Sequence, residues 1–77
     1  MVKQSIEKKT HREMLADFPI TRTDAPEWYF RYQEVSAGCY VAEGRDGSGH
    51  CVARQGFDPE ELLDQLAEDA RAISKNG

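Results

Sequence analysis

The chain has 77 residues and a formal net charge of −4, with 39% apolar and 31% charged residues. A chain of this size has room for one domain and buries only roughly 60% of its unfolded surface, so a deep enclosed active site is not expected. No apolar run approaches the roughly 20 residues of a membrane span, and the N-terminus lacks the apolar core of a signal peptide. Two cysteines do not indicate a disulfide framework, so we expect a cytoplasmic protein with no membrane association.

The N-terminal segment differs from the rest of the chain in its charge. Residues 1–12 carry four cations against Glu7 alone, and their only sizeable apolar side chains after Met1 are Val2 and Ile6. Such a segment cannot bury enough apolar surface to offset the entropy of ordering it. We therefore predict a mobile basic tail over residues 1–12, followed by a single domain over residues 13–77.

A short helix is predicted next. Thr10 and Glu13 have capping-box spacing and are followed by apolar residues, which predicts a helix over residues 10–17 that ends before Pro19. Residues 19–27 begin at a proline and contain a second one, so they are predicted to form an extended connector.

Residues 28–35 form the most strand-like segment, because aromatic and β-branched residues dominate it. With a period of two, one face carries an aromatic set that is predicted to face the core: Trp28, Phe30 and Tyr32. The opposite face carries Tyr29, Arg31 and Gln33.

Two more strands are predicted after a turn. They span residues 39–43 and 50–55, and a glycine-rich hairpin loop over residues 44–49 joins them, with Asp46-Gly47 as its turn signal.

The last element is predicted to be a helix over residues 59–74. Its start carries three capping signals: Asp58 as the N-cap, Pro59 at the first helical position and Glu61 three residues after the cap. Phe57 and Leu62 have the spacing of a hydrophobic staple. One apolar stripe with spacings of three and four follows, made of Leu62, Leu63, Leu66, Ala67, Ala70 and Ile73.

The predicted fold class is therefore α+β. A three-stranded antiparallel meander packs against one C-terminal helix, in the order β-β-β-α, and a short N-terminal helix precedes it. The helix must cover one face of the meander, because neither part is stable alone.

No pattern typical of catalysis is present. The chain has no nucleophile elbow, P-loop or dinucleotide-binding fingerprint, and its acidic residues read as a solvated surface. Zinc bound by Cys39, His50 and Cys51 would lack a fourth ligand, so the cysteines are interpreted as small buried thiols. We expect no enzymatic activity, no cofactor and no metal.

Nucleic-acid binding is kept as an alternative function. The order of elements is also that of a double-stranded-RNA-binding domain, but the acidic start of the last helix (residues 58–61) would repel phosphate. The alternative therefore depends on the basic tail, through Lys8, Lys9 and Arg12.

Protein binding is the preferred function. One helix covers only one face of an aromatic-rich sheet, so side chains on the other face are expected to be partly exposed. Tyr and Arg are enriched at interfaces, and sheet edges accept additional strands. The predicted partner-binding residues are Tyr29, Arg31 and Tyr40, with a protein partner or a second copy of the chain as the ligand.

The C-terminal half resembles the HicB-like antitoxin domain. The resemblance lies in residues 38–41 (Gly-Cys-Tyr-Val), residues 53–56 (Ala-Arg-Gln-Gly) and residues 60–63 (Glu-Glu-Leu-Leu). It implies a partial ribonuclease-H-like fold without catalysis. It also implies a bacterial cytoplasmic protein that binds a small RNA-cleaving toxin and forms oligomers.

Overall fold

The structure is a computed structural model that describes residues 11–76, with side chains described as far as Ser74. Its elements in chain order are α1 (His11–Asp17), β1 (Ile20–Thr21), β2 (Trp28–Ser36), β3 (Cys39–Asp46), β4 (Cys51–Gly56) and α2 (Pro59–Asn76). The strands form one antiparallel sheet in the order β1-β2-β3-β4. The α+β class and both helices are confirmed.

The sheet has four strands, so the prediction of three was wrong. The additional strand, β1, lies within the predicted connector and pairs with β2 through Ile20 and Phe30 and through Thr21 and Tyr29. β1 has only two residues, which is too few to show a period-two pattern in the sequence. It forms because it can pair with the open edge of β2. Pro19 has no amide hydrogen to donate, so β1 cannot extend towards the N-terminus.

The main core lies between α2 and one face of the sheet. Trp28 and Phe30 are buried there, as predicted, together with Ala42. The predicted helical stripe is also confirmed, because five of its six members are buried and Ile73 packs against them partly buried. Tyr32 is a correction, since 45% of it is exposed. It lies on the part of β2 that β1 does not flank.

Asp58 caps α2, as predicted. Its side-chain Oδ1 accepts hydrogen bonds from the backbone N–H groups of Glu60 (3.0 Å) and Glu61 (3.4 Å). The staple was wrong, because Phe57 is 80% exposed. Leu62 packs over Gly56 instead, where an added Cβ would lie 3.1 Å from its Cδ2 atom.

Ion pairs lie on both flanks of α2. On the β4 side, Arg54 donates two hydrogen bonds to Asp69, at 2.7 and 3.1 Å, and this contact lowers the pKa of Asp69. On the β1 side, Arg22 contacts Asp64 at 2.8 Å. These side chains are partly exposed, so water and salt weaken the pairs, and their main effect is to orient the helix.

The β3–β4 hairpin has a shorter loop than predicted. β3 continues to Asp46 and β4 begins at Cys51, so only residues 47–50 lie between the strands, and His50 is in the loop. Gly44 is therefore a buried strand residue. Its missing side chain lets the ring of Phe30 lie directly against the β3 backbone, because an added Cβ would lie 2.6 Å from Phe30 Cδ1.

Helix α1 packs on the face of the sheet opposite α2. Phe18, a buried residue one position past the end of α1, shows which face of the sheet the helix covers. The guanidinium carbons of Arg31 and Arg45 lie 4.3 and 5.6 Å from the centre of the Phe18 ring. Both arginines alternate with the residues that face α2, so this second face is partly covered as well.

Replacing Gly44 with alanine is expected to destabilise the fold. The new Cβ would lie 2.6 Å from Phe30 and 2.9 Å from Val52 Cγ2, and the fully buried Phe30 ring has no free space into which it can move. Overpacking of this kind costs about 1–3 kcal/mol of unfolding free energy, which urea denaturation measures.

Gly47→Ala is the matched control, because nothing lies within 4 Å of its added Cβ. This variant should stay within about 0.5 kcal/mol of the parent protein. If both variants lose the same unfolding free energy, the stability does not depend on the space that Gly44 leaves beside Phe30.

Candidate functional site

The structure does not bring the three predicted partner-binding residues together. Tyr29 and Arg31 lie on the α1 face, where the Tyr29 hydroxyl is 2.6 Å from His11 Nδ1. Arg31 lies over the Phe18 ring and donates to Glu43 Oε1 at 2.8 Å. Tyr40 lies on the opposite face, partly buried against the core.

A different group of side chains is exposed at one end of the sheet. This is the end where β2 turns into β3 and where β4 leads into α2. The exposed large apolar residues of the described chain are Tyr32 (45% exposed), Val35 (48%) and Phe57 (80%). They lie in the half of the sheet that ends there, with Tyr32 midway along β2. Together with Tyr40 they are called the distal surface below. The alternation pattern had placed Tyr32 in the core and the capping pattern had placed Phe57 in a staple, so sequence reasoning missed both.

Strand register gives the backbone spacing across this end of the sheet. Glu34 pairs with Tyr40 on β3, and Tyr40 pairs with Gly56 on β4. Neighbouring strands lie about 4.8 Å apart, so this row spans about 10 Å. Val35 follows its first member and Phe57 follows its last, and because successive strand residues point to opposite faces, this row gives the backbone spacing and not side-chain contacts. The Tyr32 ring meets Tyr40 edge-on, with centroids 6.1 Å apart.

Acidic side chains surround the distal surface. Glu34 lies within it and accepts a hydrogen bond from the Gly38 backbone N–H at 2.8 Å. Asp58, Glu60 and Glu61 follow Phe57 in the chain and are exposed. Within residues 11–76, none of these four carboxylates is in an ion pair.

Two stretches of backbone are open to a further strand. β4 is an edge strand along its whole length, Cys51–Gly56. On the other side of the sheet, β1 pairs only with Tyr29 and Phe30, so no described strand flanks β2 beyond that point. The second of these open edges leads directly into the distal surface.

The uncovered part of the α1 face is a weaker candidate. It has a shallow depression of about 260 Å³ lined by Val41, Ala53, Arg54 and Gln55. No large exposed apolar side chain lies in it, so it offers little to anchor a partner.

The strand register separates the two cysteines. Cys39 lies opposite Ser36, whereas Cys51 lies opposite Arg45, six residues further along β3. At about 3.3 Å per residue this separation is about 20 Å, which is too far for a disulfide. Both are free, and Cys51 is exposed, so its interpretation as a buried thiol was wrong. No group of three or more His, Cys, Asp or Glu residues in the described chain could hold a metal ion.

Asp46 and His50 form a pair that closes the β3–β4 loop. His50 Nδ1 lies 2.8 Å from Asp46 Oδ2, while Asp46 Oδ1 accepts the backbone N–H groups of Ser48 and His50 at 3.0 and 2.9 Å. Burial raises the pKa of Asp46, but these hydrogen bonds outweigh it, so the net pKa is lowered. No described hydroxyl or thiol is hydrogen-bonded to the His50 ring. The pair therefore acts as a turn closure.

A small cleft lies at the other end of the sheet. It measures about 230 Å³ and is lined by Ala25, Pro26, Glu27, Trp28, Arg71 and Ser74. Its turn is closed by a hydrogen bond from the Trp28 N–H to the Ala25 carbonyl, with Pro26 second and Glu27 at φ 71° third, which is a type II pattern. Ligand pockets usually measure about 300 Å³ or more, so this cleft is small for a substrate.

The basic residues of the nucleic-acid alternative lie mostly beyond the described part of the chain. Lys8 and Lys9 are outside residues 11–76. Arg12 is exposed on α1, which begins one residue earlier at His11.

Searches of protein-family models, of curated proteins and of solved structures find no match to this chain. The resemblance to the HicB-like domain therefore depends on the short motifs alone. Neither helix in residues 11–76 has the length and apolar character needed to span a bilayer.

Replacing Asp46 with asparagine is expected to lower the free energy of unfolding by about 1 kcal/mol at neutral pH, because the charged acceptor is lost. The folded-state pKa of Asp46 is lowered, so its contribution is complete above the unfolded-state pKa of about 4 and is lost as pH falls through the folded-state value. Urea denaturation should show the gap between the two proteins narrowing as the pH falls below about 5.

Glu68→Gln controls for the loss of one negative charge, and should change stability by less than about 0.5 kcal/mol at neutral pH. A gap between Asp46→Asn and the parent that persists at low pH would contradict a charge-based role.

Proposed function

We propose that this chain is a non-catalytic protein-binding module that binds a protein partner, or a second copy of itself, through the distal surface and the adjoining open edge of β2. The observation that carries the proposal is the exposure of Tyr32, Val35 and Phe57, which all lie in the half of the sheet towards the β2–β3 turn. Single exposed apolar residues are normal, but grouped ones beside open backbone are typical of interfaces.

The composition of the distal surface supports this function. Aromatic residues are enriched among the side chains that contribute most to protein–protein affinity. Phe57 is held between β4 and the capped start of α2, so it is exposed on a well-defined backbone. A partner would therefore meet a rigid apolar anchor, which lowers the entropy cost of binding.

The open edge of β2 supplies a second type of contact. Unpaired backbone N–H and C=O groups accept an additional strand, and that mode gives affinity through main-chain hydrogen bonds. Beyond Phe30 the edge passes Tyr32 and Val35, so a single extended segment would contact backbone and apolar side chains together.

A narrower form of the proposal is an antitoxin-like protein whose partner is a small RNA-cleaving toxin. It rests on the resemblance alone. The fold accounts for two motif residues by structure: Gly38 has φ 74°, and Gly56 makes room for Leu62. These motifs therefore support the fold more than the identity of the partner. A gene for a small basic RNA-cleaving protein beside this one would support the narrower form.

Photo-crosslinking in cells that express the chain at its native level tests the proposal. We expect p-benzoylphenylalanine placed at Phe57 or Tyr32 to give a discrete crosslinked product, because both positions are exposed and aromatic. The same group at Ala72, exposed near the other end of α2, should give none.

Size-exclusion chromatography with light scattering then separates the two occupants. If the crosslinked product joins two copies of the chain, the purified chain should have the mass of a dimer. If the product contains another protein, the purified chain should have the mass of a monomer. A strict monomer with no product at Phe57 or Tyr32 would rule out the proposal.

A further inference from the structure

We infer that the distal surface binds a positively charged segment of its protein partner, one in which Lys or Arg residues flank an apolar or aromatic anchor. This inference rests on the proposed function and specifies the chemistry of the ligand. It follows from the charge around the distal surface, from the ring geometry of Tyr32 and Tyr40, and from the way the arginines of the fold are used.

The first observation is unneutralised negative charge. Glu34, Glu60 and Glu61 are exposed carboxylates with no ion-pair partner within residues 11–76, and Asp58 adds a fourth. The N-terminus of α2 contributes the opposite sign, but a helix dipole amounts to only about half an elementary charge. The carboxylates therefore dominate the local potential, which attracts a cationic ligand and repels an anionic one.

The second observation is that nearby cations are engaged elsewhere. Arg54 lies level with Tyr32 across the sheet, and both of its hydrogen bonds go to Asp69. Arg31 is paired with Glu43 on the opposite face. Neither is free to neutralise the acidic rim, so an incoming Lys or Arg does not compete with an internal one.

The third observation is the aromatic part of the surface. Tyr32 and Tyr40 meet edge-on, and Tyr40 lies opposite Glu34 in the strand register. A guanidinium or ammonium group is attracted to the faces of aromatic rings, and the attraction adds to that of neighbouring carboxylates. Phe57, 80% exposed, offers the apolar contact that an anchor residue requires.

A second copy of the chain fits this surface poorly. The chain carries a net charge of −4, and symmetric contact would place two acidic rims against each other. Like charges brought together at an interface are unfavourable and suppress such pairs. We therefore expect the ligand to be a cationic segment of a different protein.

Selection from a displayed library of random twelve-residue peptides on the full chain tests the inference. We expect enriched peptides to contain more Lys and Arg than the input library and at least one aromatic or large apolar residue. A synthetic copy of an enriched peptide should bind at least about tenfold more weakly to Phe57→Ser and to the double variant Glu60→Gln/Glu61→Gln. Its affinity should also fall as salt is raised.

Glu68→Gln is the control for loss of charge from α2, because it removes one exposed carboxylate about two helical turns further along the helix, against the two removed by the double variant. It should leave the peptide's affinity within about twofold. Urea denaturation of each variant confirms that the fold is intact, and the exposure of Phe57, Glu60 and Glu61 makes large losses unexpected.

Two results would overturn the inference. One is a set of enriched peptides that contains no more Lys and Arg than the input library, or whose binding to the chain is unaffected by Phe57→Ser. The other is the enrichment of peptides whose binding depends on the β4 edge, which would leave the proposed protein-binding function intact but place it elsewhere. Failure of both the selection and the crosslinking experiment would remove the proposed function itself.

Discussion

The close approach of Phe30 to Gly44 is the contact on which the arrangement of the sheet and α2 depends. The ring is fully buried and lies against the β3 backbone, because residue 44 has no side chain to hold it away. Leu66 of α2 is buried in the same cluster. A second close approach, that of Leu62 to Gly56, brings the start of the helix down onto β4. Two glycines on one sheet face thus determine how closely α2 packs.

This packing also determines what remains exposed. An 18-residue helix is about 27 Å long and about 10 Å wide, so it cannot cover a sheet of four strands completely. β1 adds cover only beside Tyr29 and Phe30, and α1 covers the opposite face around Phe18. Beyond Phe30, β2 has a described strand only on its β3 side, and the apolar side chains of Tyr32 and Val35 are exposed there.

The distribution of charge follows from the same arrangement. Arginines 22, 31, 54 and 71 each form an ion pair within the fold, and Arg45 lies near the Phe18 ring. Arg22, Arg54 and Arg71 therefore join α2 to the connector and the sheet, while carboxylates at the start of α2 are exposed to solvent. An acidic surface around apolar groups results, and these are the properties that the proposed binding of a cationic protein segment requires.

Local patterns in the sequence are sufficient to predict most of the helices and strands of this protein. Aromatic and β-branched residues specified β2, the 3.6-residue period specified the buried stripe of α2, and Asp58 with Pro59 specified where that helix begins, because each signal depends only on neighbouring residues. Tertiary structure alone decided that β1 exists, that Gly44 is a buried strand residue, and that Tyr32 and Phe57 are exposed. It also placed Tyr29 and Arg31 beneath α1 and separated them from Tyr40. These outcomes depend on which strands pair and on how much of the sheet one helix covers. Neither strand pairing nor helix coverage produces a periodic pattern in the sequence of the residues concerned.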